Sequence, residues 1–191
     1  VLLRLLSARW VSRVCGAFLD SRLSVPMIKG FAERSGICME DYLDSSFSSF
    51  NEFFTRRIRP ELRPITTEPE LLPSPCDGRL SAYRIRDGFV LPIKQSRYSI
   101  ADLLRDGELA DRYRGGICLV FRLCVDNYHR YHYIDAGRQS GNVFIRGRLH
   151  TVRPIALRSV PVFTENCREY TVMATRHFGK AVQVEVGATF V

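Results

Sequence analysis

Two periodicities divide this chain, and the division limits the folds open to it. Up to Gly78 the apolar residues recur at helical spacing or are interrupted by prolines; beyond it they gather into short runs bounded by turn residues. Leu2, Leu3, Leu6, Trp10, Val14 and Phe18 line one side of a helix expected over Val1–Leu19, with Arg4, Arg9 and Arg13 opposite. Ser24 as cap, Pro26 in the first turn and Gly36 as stop predict a second helix. Ser49 with Glu52 three residues on predicts a capping box for a third, which carries Phe53 and Phe54. From Arg59 to Pro75 the chain is polar and proline-punctuated, as an extended wrapper or linker is. Strands are expected over Leu80–Ile85, Phe89–Ile93, Ile117–Val125, Asn142–Leu149, Tyr170–Ala174 and Ala181–Val191, with a short capped helix at Ser99–Leu104. In the last strand Val182, Val184 and Val186 alternate with Gln183 and Glu185. Helices first and strands after imply an α+β fold: short amphipathic N-terminal helices followed by a mainly antiparallel β core. The expected regions are a helical one over residues 1–60, an extended linker over 61–77 and a β-rich core over 78–191.

The net charge of +8 comes almost wholly from arginine, because Lys29, Lys94 and Lys180 are the only lysines. Arginine forks suit phosphate and carboxylate groups, so nucleic acid and anionic lipid are both candidate partners on charge alone. Nucleic-acid binding calls for aromatics interleaved with arginine on an exposed face; here most aromatics lie in apolar runs, and that reading is set aside. The basic amphipathic start with its tryptophan reads either as a membrane-surface helix or as a core helix with a solvated arginine face. No stretch approaches the ~18 uninterrupted apolar residues of a membrane-spanning helix. The six cysteines form no Cys-x-x-Cys pair, and several lie in apolar runs, so reduced, buried thiols are expected.

Chemistry concentrates in two places. Tyr128-His129-Arg130-Tyr131-His132 sets two of the four histidines just past an apolar strand, and Ser74-Pro75-Cys76-Asp77-Gly78 sets a carboxylate in a tight turn. Imidazole can take the proton of a weak oxygen nucleophile and carboxylate can orient the imidazole, yet no serine occupies an evident nucleophile turn. His129 and His132 as zinc ligands lack a clustered third ligand, so no metal is expected. His150 ends another strand and could reach the same pocket; His177 has the weakest claim.

Taken in order, Phe50-Asn51-Glu52-Phe53-Phe54-Thr55-Arg56-Arg57, Arg63-Pro64-Ile65, the Asp77 turn, Tyr128–His132, Leu149-His150-Thr151-Val152 and Phe178-Gly179 through Val186-Gly187-Ala188 resemble phosphatidylserine decarboxylase. The resemblance implies a lyase that removes CO2 from phosphatidylserine to leave phosphatidylethanolamine. Losing CO2 leaves a carbanion that no ordinary side chain delocalises, so an electron sink is needed. Members of this family make theirs by cutting their own backbone at a Gly-Ser bond, which turns the serine into a pyruvoyl group. The resemblance implies that Asp77 and His132 activate that serine and that His129 lies near the bound head group. It offers His150 as a substrate contact at a position the family varies. It also implies that residues 1–60 dock on an anionic phospholipid membrane, peripherally and at the cytoplasmic face, as in a bacterial inner membrane.

The family's cleavage-site serine lies beyond the last residue of this chain. The chain is therefore expected to continue past Val191 in the gene, Val1 in place of Met points to the same at the start, and these residues alone are expected to be inactive. The expected partners are the protein's own small C-terminal chain and, within what the resemblance allows, a second copy as a homodimer. Asn127 stands where many members carry aspartate, and Tyr133-Ile134 replaces a frequent proline. A non-catalytic membrane-binding relative that has lost the cleavage site is the alternative reading.

Overall fold

The computed structural model of the chain describes residues 9–86, 88, 91–93, 96–148 and 165–187. Helices α1 (Arg9–Leu19), α2 (Met27–Ser35) and α3 (Phe50–Phe54) open the chain, with short 3₁₀ turns at Arg22–Ser24 and Met39–Asp41 between them. Gly36 ends α2 in the left-handed region at φ 65°, so its amide and that of Ile37 turn back to the Ala32 and Glu33 carbonyls. The first eight residues of the expected first helix lie outside the described part.

These helices close on an aromatic cluster of Phe50 and Phe53, joined by Phe31, Phe47 and Phe54. Phe53 is fully buried, with rings at 5.5 to 6.0 Å edge-on or tilted, the geometry that aromatic quadrupoles favour. Ser24, also fully buried, binds three segments: its hydroxyl lies 2.7 Å from Ser21 O and 3.0 Å from Leu19 O and accepts the Phe50 amide at 2.8 Å. The capping box expected at α3 is displaced by one residue. Ser49 Oγ accepts the Glu52 amide, but the Glu52 carboxylate accepts Ser48 instead, where one residue supplies both an N–H and an O–H. Val14, Phe18, Leu23 and Met27 of this region remain exposed.

Strands β1 (Arg79–Arg84) and β4 (Ile117–Arg122) pair antiparallel, and β2 (Leu91–Ile93) pairs with β3 (Ser96–Tyr98). A larger antiparallel sheet is built on β7 (Arg168–Thr175). Strand β8 (Lys180–Val186) covers one of its edges, while β5 (Gly137–Gln139) and β6 (Val143–Ile145) share the other. Between those two short strands Ser140 keeps the edge bonded, since its amide donates to Val172 O and its hydroxyl accepts the Val172 amide. The alternation expected of the last strand is seen: Val182 and Val184 sit opposite Val172 and Tyr170 and face α4 (Ile100–Leu104) and α5 (Gly107–Asp111). Ser99 caps α4 with a full capping box. At its far end the buried Arg168 guanidinium donates to the Asp102 and Leu103 carbonyls, the pole of a helix that attracts cations. The fold is α+β, as the pattern of the sequence implied. Among the described residues no disulfide joins the cysteines, which are not fully buried as expected but only partly covered, with Cys38 exposed.

Candidate active site

The site begins with a glycine. Strand β1 starts flush against the end of β4, with Arg79 opposite Arg122, and Gly78 enters it at φ 130°. A Cβ at residue 78 would stand 2.8 Å from Arg122 O, so only glycine lets the chain turn there. After β4 the chain reverses at Cys124–Asn127, where Asn127 Oδ1 accepts the Cys124 amide at 2.6 Å. An aspartate carboxylate would accept the same bond, so the departure at Asn127 leaves the turn intact. The returning segment then lies along the Asp77 turn. Cys76 bridges Tyr131, the His132 amide donates to Pro75 O at 2.8 Å, and the Tyr128 amide donates to Asp77 Oδ2 at 3.3 Å. The two motifs that the sequence holds some fifty residues apart thus meet.

Asp77 is held by a partner that the sequence reading did not name. Arg63 donates through Nε to Oδ1 at 2.7 Å and through Nη2 to Oδ2 at 2.9 Å, a two-pronged fork. That guanidinium, and the Tyr128 amide after it, keep the carboxyl below its ordinary range against the opposing effect of burial. Among the described residues no hydrogen bond joins Asp77 to either imidazole.

The histidines are oriented by carbonyls. His129 Nδ1 donates to Asn127 O at 2.9 Å, and His132 Nδ1 donates to Tyr133 O at 2.8 Å. A carbonyl can only accept, so each neutral ring carries its proton on Nδ1 and presents the Nε2 lone pair as a base. The His129 ring lies against Phe54, centroids 4.0 Å apart. Burial lowers its pKa, with the positive charge of Arg56 acting in the same direction and the Asn127 bond and the Asp126 and Asp77 charges opposing. Arg56 is 1% exposed, stacked over Tyr42 and Phe53, and donates to Tyr42 Oη; among the described residues its Nε meets no acceptor. Arg130 Nε donates to Thr55 O at 2.8 Å. The site therefore lies where the segment after α3 is clasped by Tyr128–His132.

His150 lies outside the described residues. His177 stands apart, with its amide and Nδ1 on Asp135 at 2.6 and 3.1 Å, a bond pair that ties the β7–β8 turn to the chain leaving the site. Burial, and then the charge of Asp77, push the Cys76 thiol up to about 11, which leaves it a poor nucleophile. Among the described residues no three His, Cys, Asp or Glu side chains gather in a way that would hold a metal ion. Arg63, Phe54 and Arg56 were missed as site residues. Their signal was their place beside aromatic and proline motifs, which by itself says nothing of direction.

Residues 50–191 match the family model described as phosphatidylserine decarboxylase. Over 186 residues the chain is 42% identical to phosphatidylserine decarboxylase proenzyme 2 of Clostridium acetobutylicum, which covers 97% of the chain and 64% of that protein. It is 42% identical over 194 residues to a phosphatidylserine decarboxylase proenzyme of Ruminiclostridium cellulolyticum, covering 99% of the chain and 65% of the relative. A Clostridium novyi proenzyme of the same description is 40% identical over 191 residues, covering 98% and 65%. The chain thus spans a little less than two thirds of the length of these relatives.

Proposed function

The chain belongs to the phosphatidylserine decarboxylase family, and from that membership we propose that it is the larger part of an enzyme converting phosphatidylserine to phosphatidylethanolamine and CO2. The observation that carries the reading is the meeting of the Asp77 turn with Tyr128–His132 across the Cys76–Tyr131 bridge. It gathers an ionised carboxylate and two imidazoles whose Nε2 atoms are free to take a proton.

The electron sink is a pyruvoyl group derived from a serine beyond Val191, and its chemistry is to accept the charge left when CO2 departs. The residues present suit such a group: two imidazole bases and an ionised carboxylate, with Phe54 packed against the His129 ring. In maturation His132 accepts the serine hydroxyl proton at Nε2, with the ionised Asp77 as the carboxylate of the pair. In turnover His129, favoured neutral by burial, accepts a proton at Nε2 and returns one to the carbon that has lost CO2.

An intact-mass spectrum of the protein expressed from its complete gene tests this. Two chains are expected, the smaller about 17 Da lighter than a serine-started chain because ammonia is lost as serine becomes pyruvoyl. One uncut chain would sink the reading.

The membrane seat is part of the same proposal. Exposed Val14, Phe18, Leu23 and Met27 supply apolar surface, and a charge of +8 favours anionic lipid. Among the described residues no helix is long and apolar enough to cross a bilayer, which fits attachment at the surface. Deleting residues 1–19 from the complete protein should weaken sedimentation with phosphatidylserine-containing vesicles, most clearly at high salt, where charge attraction is screened. Unchanged binding at low and high salt would remove these residues from the interface.

A further inference from the structure

We propose that Arg63 is the positioning residue for Asp77, the group that fixes which carboxylate oxygen faces the reacting histidine during self-cleavage; this rests on the function proposed above. The guanidinium is itself anchored, since Nη1 donates to Leu62 O at 2.8 Å while Nε and Nη2 hold the two oxygens of Asp77. Leu62 ends the short 3₁₀ turn at Pro60–Leu62, so the fork is braced by backbone rather than carried on a free arm. Oδ2 also receives the Tyr128 amide. A carboxylate offers roughly four acceptor positions; with two donors on Oδ2 and one on Oδ1, the open one is on Oδ1. Neither imidazole bonds Asp77 in the described residues, so the aspartate takes its orientation from Arg63 and not from its catalytic partner. Lysine would keep the charge but, with its donors all on one nitrogen, could not reproduce the planar two-nitrogen fork.

The test is the rate and pH profile of self-cleavage in the complete proenzyme, followed by gel for wild type, Arg63→Ala, Arg63→Lys and Asp77→Asn. Arg63→Ala is expected to slow cleavage on the order of tenfold to a hundredfold. Asp77 is held low by Arg63, so losing the guanidinium lets its pKa rise, and the acid limb of the profile should move to higher pH. Arg63→Lys should bring that limb back toward wild type and restore only part of the rate. Wild-type cleavage by Arg63→Ala overturns the proposal. So does equal slowing of both Arg63 variants with an unchanged acid limb, which would mean general damage to the fold. Should Arg63→Ala fail to fold by circular dichroism, Arg63→Gln takes its place under the same criteria. Asp77→Asn separates the two levels. If it cleaves normally, the function proposed for Asp77 fails; if it is blocked while Arg63→Ala is not, only the role of Arg63 does.

Discussion

Asp77→Asn and His132→Ala, made separately in the complete gene, should each leave the protein as one uncut chain. Removing one member of a base–carboxylate pair of this kind typically costs about 10⁴-fold in rate, enough to turn maturation within a growth period into none. The two variants should fail for different reasons. His132→Ala removes the Nε2 lone pair, which its Nδ1 bond to Tyr133 O leaves available in the native ring. Asp77→Asn keeps the shape and removes the charge, and its amide also meets the Arg63 fork with a donor where an acceptor is needed. Mass spectrometry of each purified protein reads the outcome directly. Normal processing of either variant would show that its residue is not needed to activate the serine.

Phe53→Ala should be the most damaging change away from the chemistry. Phe53 is fully buried, touches the rings of Phe31, Phe47 and Phe50, and carries the Arg56 guanidinium 4.8 Å over its face. Truncating a core phenylalanine costs about 3–5 kcal/mol. For a domain of this size that is a fall in Tm of roughly 6 to 20 °C, at about 2–4 °C per kcal/mol. The loss reaches the site as well. Arg56 would keep its buried charge with half its aromatic cover gone, and Phe54, the wall for His129, belongs to the same short helix. Calorimetry on the complete protein should therefore show a lowered Tm together with slower self-cleavage. A change under about 0.5 kcal/mol, the scale of a surface substitution, would mean that the aromatic cluster does not hold this region together.

What was legible along the chain was whatever its local chemistry dictates. The hydrophobic period marked the change from helices to strands at Gly78, and Ser99 with Asp102 announced a capped helix that is there. Helix α5 escaped notice because its five residues are too short for a period; only Asp106, capping Leu109, marks it. Strand β5 escaped for a different reason. Gly137–Gln139 has no apolar alternation and is a strand only because β7 offers it an edge, with Gly137 so close to Ala174 O that a side chain has no room. The motif residues Asp77, His129 and His132 could be read as reactive types, and a resemblance could give them roles. Their meeting, the carbonyls that set both imidazole tautomers, and the Arg63 fork that claims the aspartate belong to pairs separated by 14 to 51 residues or set by one turn. A hydrogen bond of that kind depends on distance and angle, which a linear order of residues does not contain. Sequence alone decided which groups could take or give a proton; tertiary structure decided which of them face each other, because backbone pairing at Cys76 and Tyr131, and not the motifs themselves, sets the geometry of the site.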